Sequence, residues 1–241
     1  MNTYPKAFAM KRNINSPLFL LILFGMNVLM VGCNSDVLLL ANFKRDTVGQ
    51  PPSQLQPTGE VFTDGLAGWV RVDTIPPSSI KWAHITRPVN NDNLVALQGV
   101  FNPVRGDGDY GIIAAITIPS GSQTVSFSLE SPAAPPNVYG GFLHLDFLEN
   151  NRVRIDDIEQ TVFGSFPRDK SFVLSLVLHL NPGGPSADIM LTGNGAEGSL
   201  TYPIPIPYAL IRQFQAARFW IGFPWVGQLY VTDFVITKHK K

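Results

Sequence analysis

The sequence predicts an all-β protein, folded as a single β-sandwich of about a dozen strands. Short apolar or alternating runs recur along the chain, separated by turn residues, with 21 Gly and 20 Pro among 241 residues. Only residues 208–215 suit a short helix. Composition does not shift between the runs, so 37–241 reads as one domain.

The sandwich is preceded by a different kind of segment. An apolar run of 14 residues, 18–31, follows Lys11 and Arg12. A membrane-spanning helix needs about 20 residues and a signal-peptide core about 7–15, so residues 1–32 read as a signal peptide. Met10-Lys11-Arg12 would make a conventional start, with 1–9 an upstream extension of the reading frame. The only cysteine, Cys33, closes this segment and can form no internal disulfide. Met30-Val31-Gly32-Cys33 resembles the lipobox of bacterial lipoproteins. That resemblance implies cleavage before Cys33 and acylation of its new amino terminus, as in palmitate-bearing lipoproteins. Asn34 after the cysteine implies the outer membrane. Several acyl chains, at about 0.8 kcal/mol per buried CH2, would hold the chain at the bilayer. Residues 33–36 are then a tether reaching at most about 14 Å, so the domain is expected close to the membrane.

The strands follow in order. Residues 37–43 are too apolar for a linker and begin the sandwich. The next runs are 68–73, 80–86, 94–101, 110–118, 124–130, 141–148, 152–156, 171–180, 187–192, 198–202, 217–223 and 228–237. The 171–180 run is the clearest. Phe172, Leu174, Leu176, Leu178 and Leu180 share one face, and Val173, Ser175, Val177 and His179 the other. Such a strand belongs in the middle of a sheet with one face in the core.

Residues 42–52, NFKRDTVGQPP, look like the opening strand and turn of concanavalin-like and laminin-G-like jelly rolls. FVLSLVLHLNPGGPSADIMLTGNG (172–195) and GQLYVTDFVITK (227–238) resemble their back-sheet and closing strands. The resemblance implies a jelly-roll-like sandwich that binds carbohydrate or protein, and less often cleaves glycans.

The 141–157 hairpin carries the densest polar pattern. A two-residue turn at Asn150-Asn151 would set Phe147 against Arg154. A three-residue loop, 149–151, instead aligns Leu143, Leu145 and Phe147 with Val153 and Ile155, and Asn151 supplies its left-handed residue. Asp146 then faces Arg154, and His144 faces Asp156. His144, Asp146, Arg152, Arg154 and Asp156 so form one polar strip. Two readings stand open: cross-strand ion pairs on a solvated face, each worth about 0.2–1 kcal/mol, or a charged ligand cleft.

Trp225 follows Pro224 in a predicted turn at the sandwich rim. It is either a platform for the apolar face of a sugar or a cap on the core. One of Trp220 and Ile221 points outward unless both faces are covered. Trp69 and Trp82 fall inside strand patterns and are expected in the core. Arg105-Gly106-Asp107 reads as a plain turn; Asp107 and Asp109 are oxygen donors that calcium would accept, without the closing Glu of an EF-hand.

The formal net charge is zero, and without residues 1–32 the chain keeps 15 basic and 18 acidic side chains. No basic footprint for nucleic acid exists. Signatures of serine hydrolases, zinc proteases and phosphate-binding loops are missing. No cofactor or metal is expected. The sequence points to an envelope lipoprotein that binds a glycan or an envelope partner. The alternative is a glycan-active hydrolase or lyase with acids drawn from separate strands.

Overall fold

The computed structural model describes residues 35–89, 92–101, 107–131, 141–155 and 159–239. Cys33, the 105–106 turn residues and Asp156 lie outside them. Fifteen antiparallel strands form among the described residues: β1 (Ser35–Ala41), β2 (Glu60–Asp64), β3 (Val70–Thr74), β4 (Lys81–Arg87), β5 (Val95–Val100), β6 (Gly108–Thr117), β7 (Val125–Glu130), β8 (Gly141–Phe147), β9 (Arg152–Ile155), β10 (Val162–Ser165), β11 (Phe172–Leu180), β12 (Ser186–Gly193), β13 (Ala196–Pro203), β14 (Ala216–Ile221) and β15 (Gly227–His239). The helix α1 spans only Tyr208–Ile211.

Fifteen strands replace the expected dozen because β2 and β10 escape the sequence pattern. They are 5 and 4 residues long, with one buried residue between them, so neither carries a readable alternation. The helix is shorter than 208–215 because the chain turns at residues 212–215 and enters β14.

The strands form one continuous sheet, in the order β2-β5-β14-β7-β8-β9-β10-β13-β12-β11-β6-β15-β4-β3. It doubles over at β9-β10-β13. The front layer is β2-β5-β14-β7-β8-β9 and the back layer is β12-β11-β6-β15-β4-β3, a jelly-roll-like sandwich. β1 takes over from β4 as the neighbour of β15 beyond Val231.

Alternation builds the core, as it must when each strand has one face inside. β11 alternates buried and half-buried residues along its whole length and lies between β6 and β12. Aromatic side chains join the layers. Phe219 of β14 meets Phe234 of β15 edge-on at 5.3 Å, and Phe147 of β8 meets Phe172 of β11 at 5.8 Å. Phe214 takes Phe101, Tyr110 and Phe142 on its ring at 5.1–5.9 Å.

Trp82 is buried, but on the outer face of the back layer beside His84 and away from the main core. Trp69 is partly buried and packs against the core.

Candidate functional site

Register places the side chains of the outer front face in rows. One row runs Asp64, Ala96, Trp220, Ser126, Asp146, Arg154. The next runs Phe62, Gln98, Arg218, Ser128, His144. β7 supplies only serines between the larger side chains of β14 and β8. His144 and Trp220 therefore meet across it, with ring centroids 5.0 Å apart. Both faces of β14 are covered: Ile221 lies in the core and Trp220 in this polar layer.

The hairpin takes the register expected of it. Asp146 pairs with Arg154 and Phe147 with Val153. The Leu148 N–H donates to the Arg152 carbonyl (2.8 Å), closing a three-residue loop in which Asn151 adopts φ 66°.

The face is not solvated at Asp146, which is only 5 % exposed. Arg154 donates to its Oδ2 from Nε (3.1 Å) and Nη2 (2.9 Å). Ser126 Oγ donates to Oδ1 (2.7 Å), and His144 Nε2 stands 3.2 Å from the same oxygen. Burial pushes the Asp146 carboxyl upward, but His144, Ser126 and Arg154 together hold it below the usual carboxylate range. Arg154 Nη1 also donates to Gln160. Arg152 is exposed.

A second acid, which the sequence pattern did not single out, lies four residues along β7 from Ser126. Glu130 is buried, with Arg218 Nε 3.0 Å from Oε1 and Nη2 3.2 Å from Oε2. Gln98 also donates to it. Burial raises its pKa, and Arg218 and Gln98 offset part of that rise. Gln98 comes from β5 and Arg218 from β14, so no local spacing could announce the cluster.

Trp225 lies at the end of the sandwich and is 40 % exposed, next to Phe223 at 63 %. It projects from a turn fastened at several points. The Trp225 N–H donates to the Gly222 carbonyl (2.9 Å), and Val226 N–H to Gln123 Oε1 (2.7 Å). Arg87 Nη1 donates to the Trp225 carbonyl, and Arg87 Nε to the Asn93 carbonyl (2.9 Å). The Arg87 guanidinium, itself buried, lies 5.8 Å from the Phe223 ring centroid. Nothing in the sequence marks Arg87. Its position just after the 80–86 run would instead suggest an exposed charge.

The acids of the 107–109 turn have protein partners. Tyr208 Oη donates to Asp107 Oδ1 (2.5 Å), and His179 Nδ1 stands 2.8 Å from Asp109 Oδ1. No group of three or more metal-ligating side chains assembles among the described residues.

No protein-family model matches the sequence, and no curated protein sequence matches it significantly. Solved structures do share its fold. A carbohydrate esterase from the Shiga toxin-encoding bacteriophage phi24B aligns with TM-score 0.55 and 9 % identity, over 86 % of this chain and 100 % of its own. Arcelin-5, a lectin-like defence protein from Phaseolus vulgaris, aligns with TM-score 0.51 and 9 % identity, over 87 % and 100 %. The catalytic domain of a GH131 β-glucanase from Podospora anserina aligns with TM-score 0.51 and 12 % identity, over 83 % and 95 %. At these identities the likeness concerns the fold alone.

Proposed function

We propose that this protein is a lipid-anchored glycan-binding module of a bacterial cell envelope, probed by its exposed Phe223–Trp225 turn and held to the outer membrane through Cys33. The observation that carries the glycan reading is the exposure of Phe223 and Trp225 on a turn fastened by buried Arg87. A rigid indole offers a flat apolar face at little entropic cost, which is what stacking on a pyranose ring requires. An architecture shared with a lectin-like protein, a carbohydrate esterase and a β-glucanase supports a carbohydrate ligand.

Binding is favoured over cleavage by the state of the two buried front-face acids. Asp146 and Glu130 are each engaged by an arginine and by further donors. Asp146 pairs with Ser126, and Glu130 lies four residues further along β7 with Arg218 on its carboxylate.

The anchor reading is compatible with the placement of the turn. Cys33 precedes Ser35 by two residues, and Ser35 pairs with His239. The Phe223–Trp225 turn leads into Gly227, at the other end of the 13-residue β15, about 40 Å away.

The test is Trp225→Ala, with a glycan array and a thermal melt run side by side. Retention on the array should fall about tenfold or more while Tm stays within a few degrees, because the side chain is partly solvated already. A stability loss of about 3–5 kcal/mol, the cost of truncating a core aromatic, would mean a core cap instead.

A further inference from the structure

On the glycan reading of the 222–226 turn, we infer that the ligand is a neutral polysaccharide, bound over several consecutive sugars along a row of three crossover turns. The topology makes the row. β2, β5 and β14 are neighbours in the front layer, and β3, β4 and β15 are neighbours in the back layer. Residues 65–69 carry the chain from β2 to β3 and 222–226 from β14 to β15, and residues 88–89 and 92–94 lie on the connection from β4 to β5. All three cross between layers at the same end of the sandwich, side by side. With strands about 4.8 Å apart, the outer two crossings are about 10 Å apart.

Each crossing exposes apolar side chains. Leu66 is 59 % exposed and Val89 66 %, in line with Phe223 and Trp225. Scattered surface apolars need no explanation, but four large ones on three adjoining turns form a patch that marks a binding surface. The turns are also held together. Trp69 N–H donates to the Leu66 carbonyl (3.1 Å) and Thr86 N–H to the Trp69 carbonyl (2.7 Å). Arg87 fastens the other two turns through Asn93 and Trp225. A single pyranose would cover one aromatic ring and leave Leu66 and Val89 in water. An extended chain covers the whole row.

Charge selects against acidic ligands. The three turns contain one acid, Asp92, and neither lysine nor arginine. A uronate or sulfate group would lose hydration there with no cation to receive it. Arg87 is buried beneath the row, with Nε and Nη1 donating to the Asn93 and Trp225 carbonyls. The same lack of cations opposes an anionic bilayer surface.

The test uses the full-length protein in detergent, with retention measured on laminarin, chitin, alginate and polygalacturonate. Retention is expected on a neutral polymer and not on the two polyuronates, with free glucose or N-acetylglucosamine failing to compete at millimolar concentration. Leu66→Ser and Val89→Ser should each weaken retention about two- to fivefold, by removing apolar contact distant from the tryptophan. Thermal melts confirm that the variants fold. Preference for a polyuronate, or full retention by both serine variants beside a dead Trp225→Ala, would overturn the polymer inference and leave a single-sugar platform standing. Sedimentation with zwitterionic phosphatidylcholine vesicles that depends on the four apolar residues would make the row a membrane contact. Absence of retention on every glycan, unchanged by Trp225→Ala, would remove the glycan reading itself.

Discussion

His84 and His179 lie on the same outer face of the back layer and titrate in opposite directions. His84 is buried under the Tyr230 ring, 4.1 Å between centroids. Burial lowers its pKa below 6.5, against hydrogen bonds to Gln228 and Asp73, with the Arg71 charge adding to the fall. His179 is also partly desolvated, but its nitrogens stand 2.8 Å from Asp109 and 3.0 Å from Asp188, and these bonds raise it above 6.5. The signs follow from linkage. A raised His stabilises fully below pH 6.5 and loses that contribution as pH climbs through its folded pKa. A lowered His costs nothing at high pH and begins to destabilise as pH falls below 6.5. The two contributions together therefore peak near pH 6.5. In melts across pH 5–9, His179→Gln should flatten the alkaline fall and His84→Gln the acid one; an unchanged profile in both would reject the assignment. Asp146 gives a charge test. Asp146→Arg should cost about 3 kcal/mol or more, because it leaves Arg154 beside a like charge in a largely buried site. Adding Arg154→Asp should recover at least 1 kcal/mol in denaturant melts, and strictly additive effects would sink the coupling.

At the scale of elements, the hairpin β8–β9 and the strand β5 differ in what the local sequence shows. The hairpin register was legible because only one loop length puts Leu145, Phe147, Val153 and Ile155 on one side and Asp146 and Arg154 on the other. A slip of one residue would have buried charge in the core, so the alternation excludes it. β5 offers no such signal at Gly99. A Cβ there would come within 2.3 Å of Leu39 and 2.6 Å of Phe234, side chains from β1 and β15 that reach it across the sandwich. Gly99→Ala should destabilise by about 1–3 kcal/mol through overpacking, and Leu39→Ala in the same chain should relieve part of that loss. Equal destabilisation with and without Leu39→Ala would place the cost in the strand itself. The front-layer clusters follow the same logic: Asp146–Arg154 lies within one hairpin and can be read, whereas Glu130–Arg218–Gln98 joins three strands distant in sequence and cannot.

The whole molecule has two ends with different character. Ser35 and His239 stand at one, and the apolar crossings with Leu66, Val89, Phe223 and Trp225 at the other. On the anchor reading, Cys33→Ser should abolish incorporation of labelled palmitate and leave an uncleaved precursor on gels. Label retained in the variant would reject acylation at Cys33.

The sequence alone determined the all-β class, most strand positions, the inward faces of β11 and the register of β8–β9. Each rests on a period of two or on a turn, and both are properties of neighbours in the chain. Only the tertiary structure decided that Trp220 and Asp146 are covered, that Arg87 is buried under the Trp225 turn, and that Leu66, Val89 and the Phe223–Trp225 turn lie on three adjoining connections at one end of the sandwich. Those outcomes depend on which strands become neighbours when one sheet doubles over. Burial and adjacency between distant strands arise only at that closure, and local alternation carries no record of it.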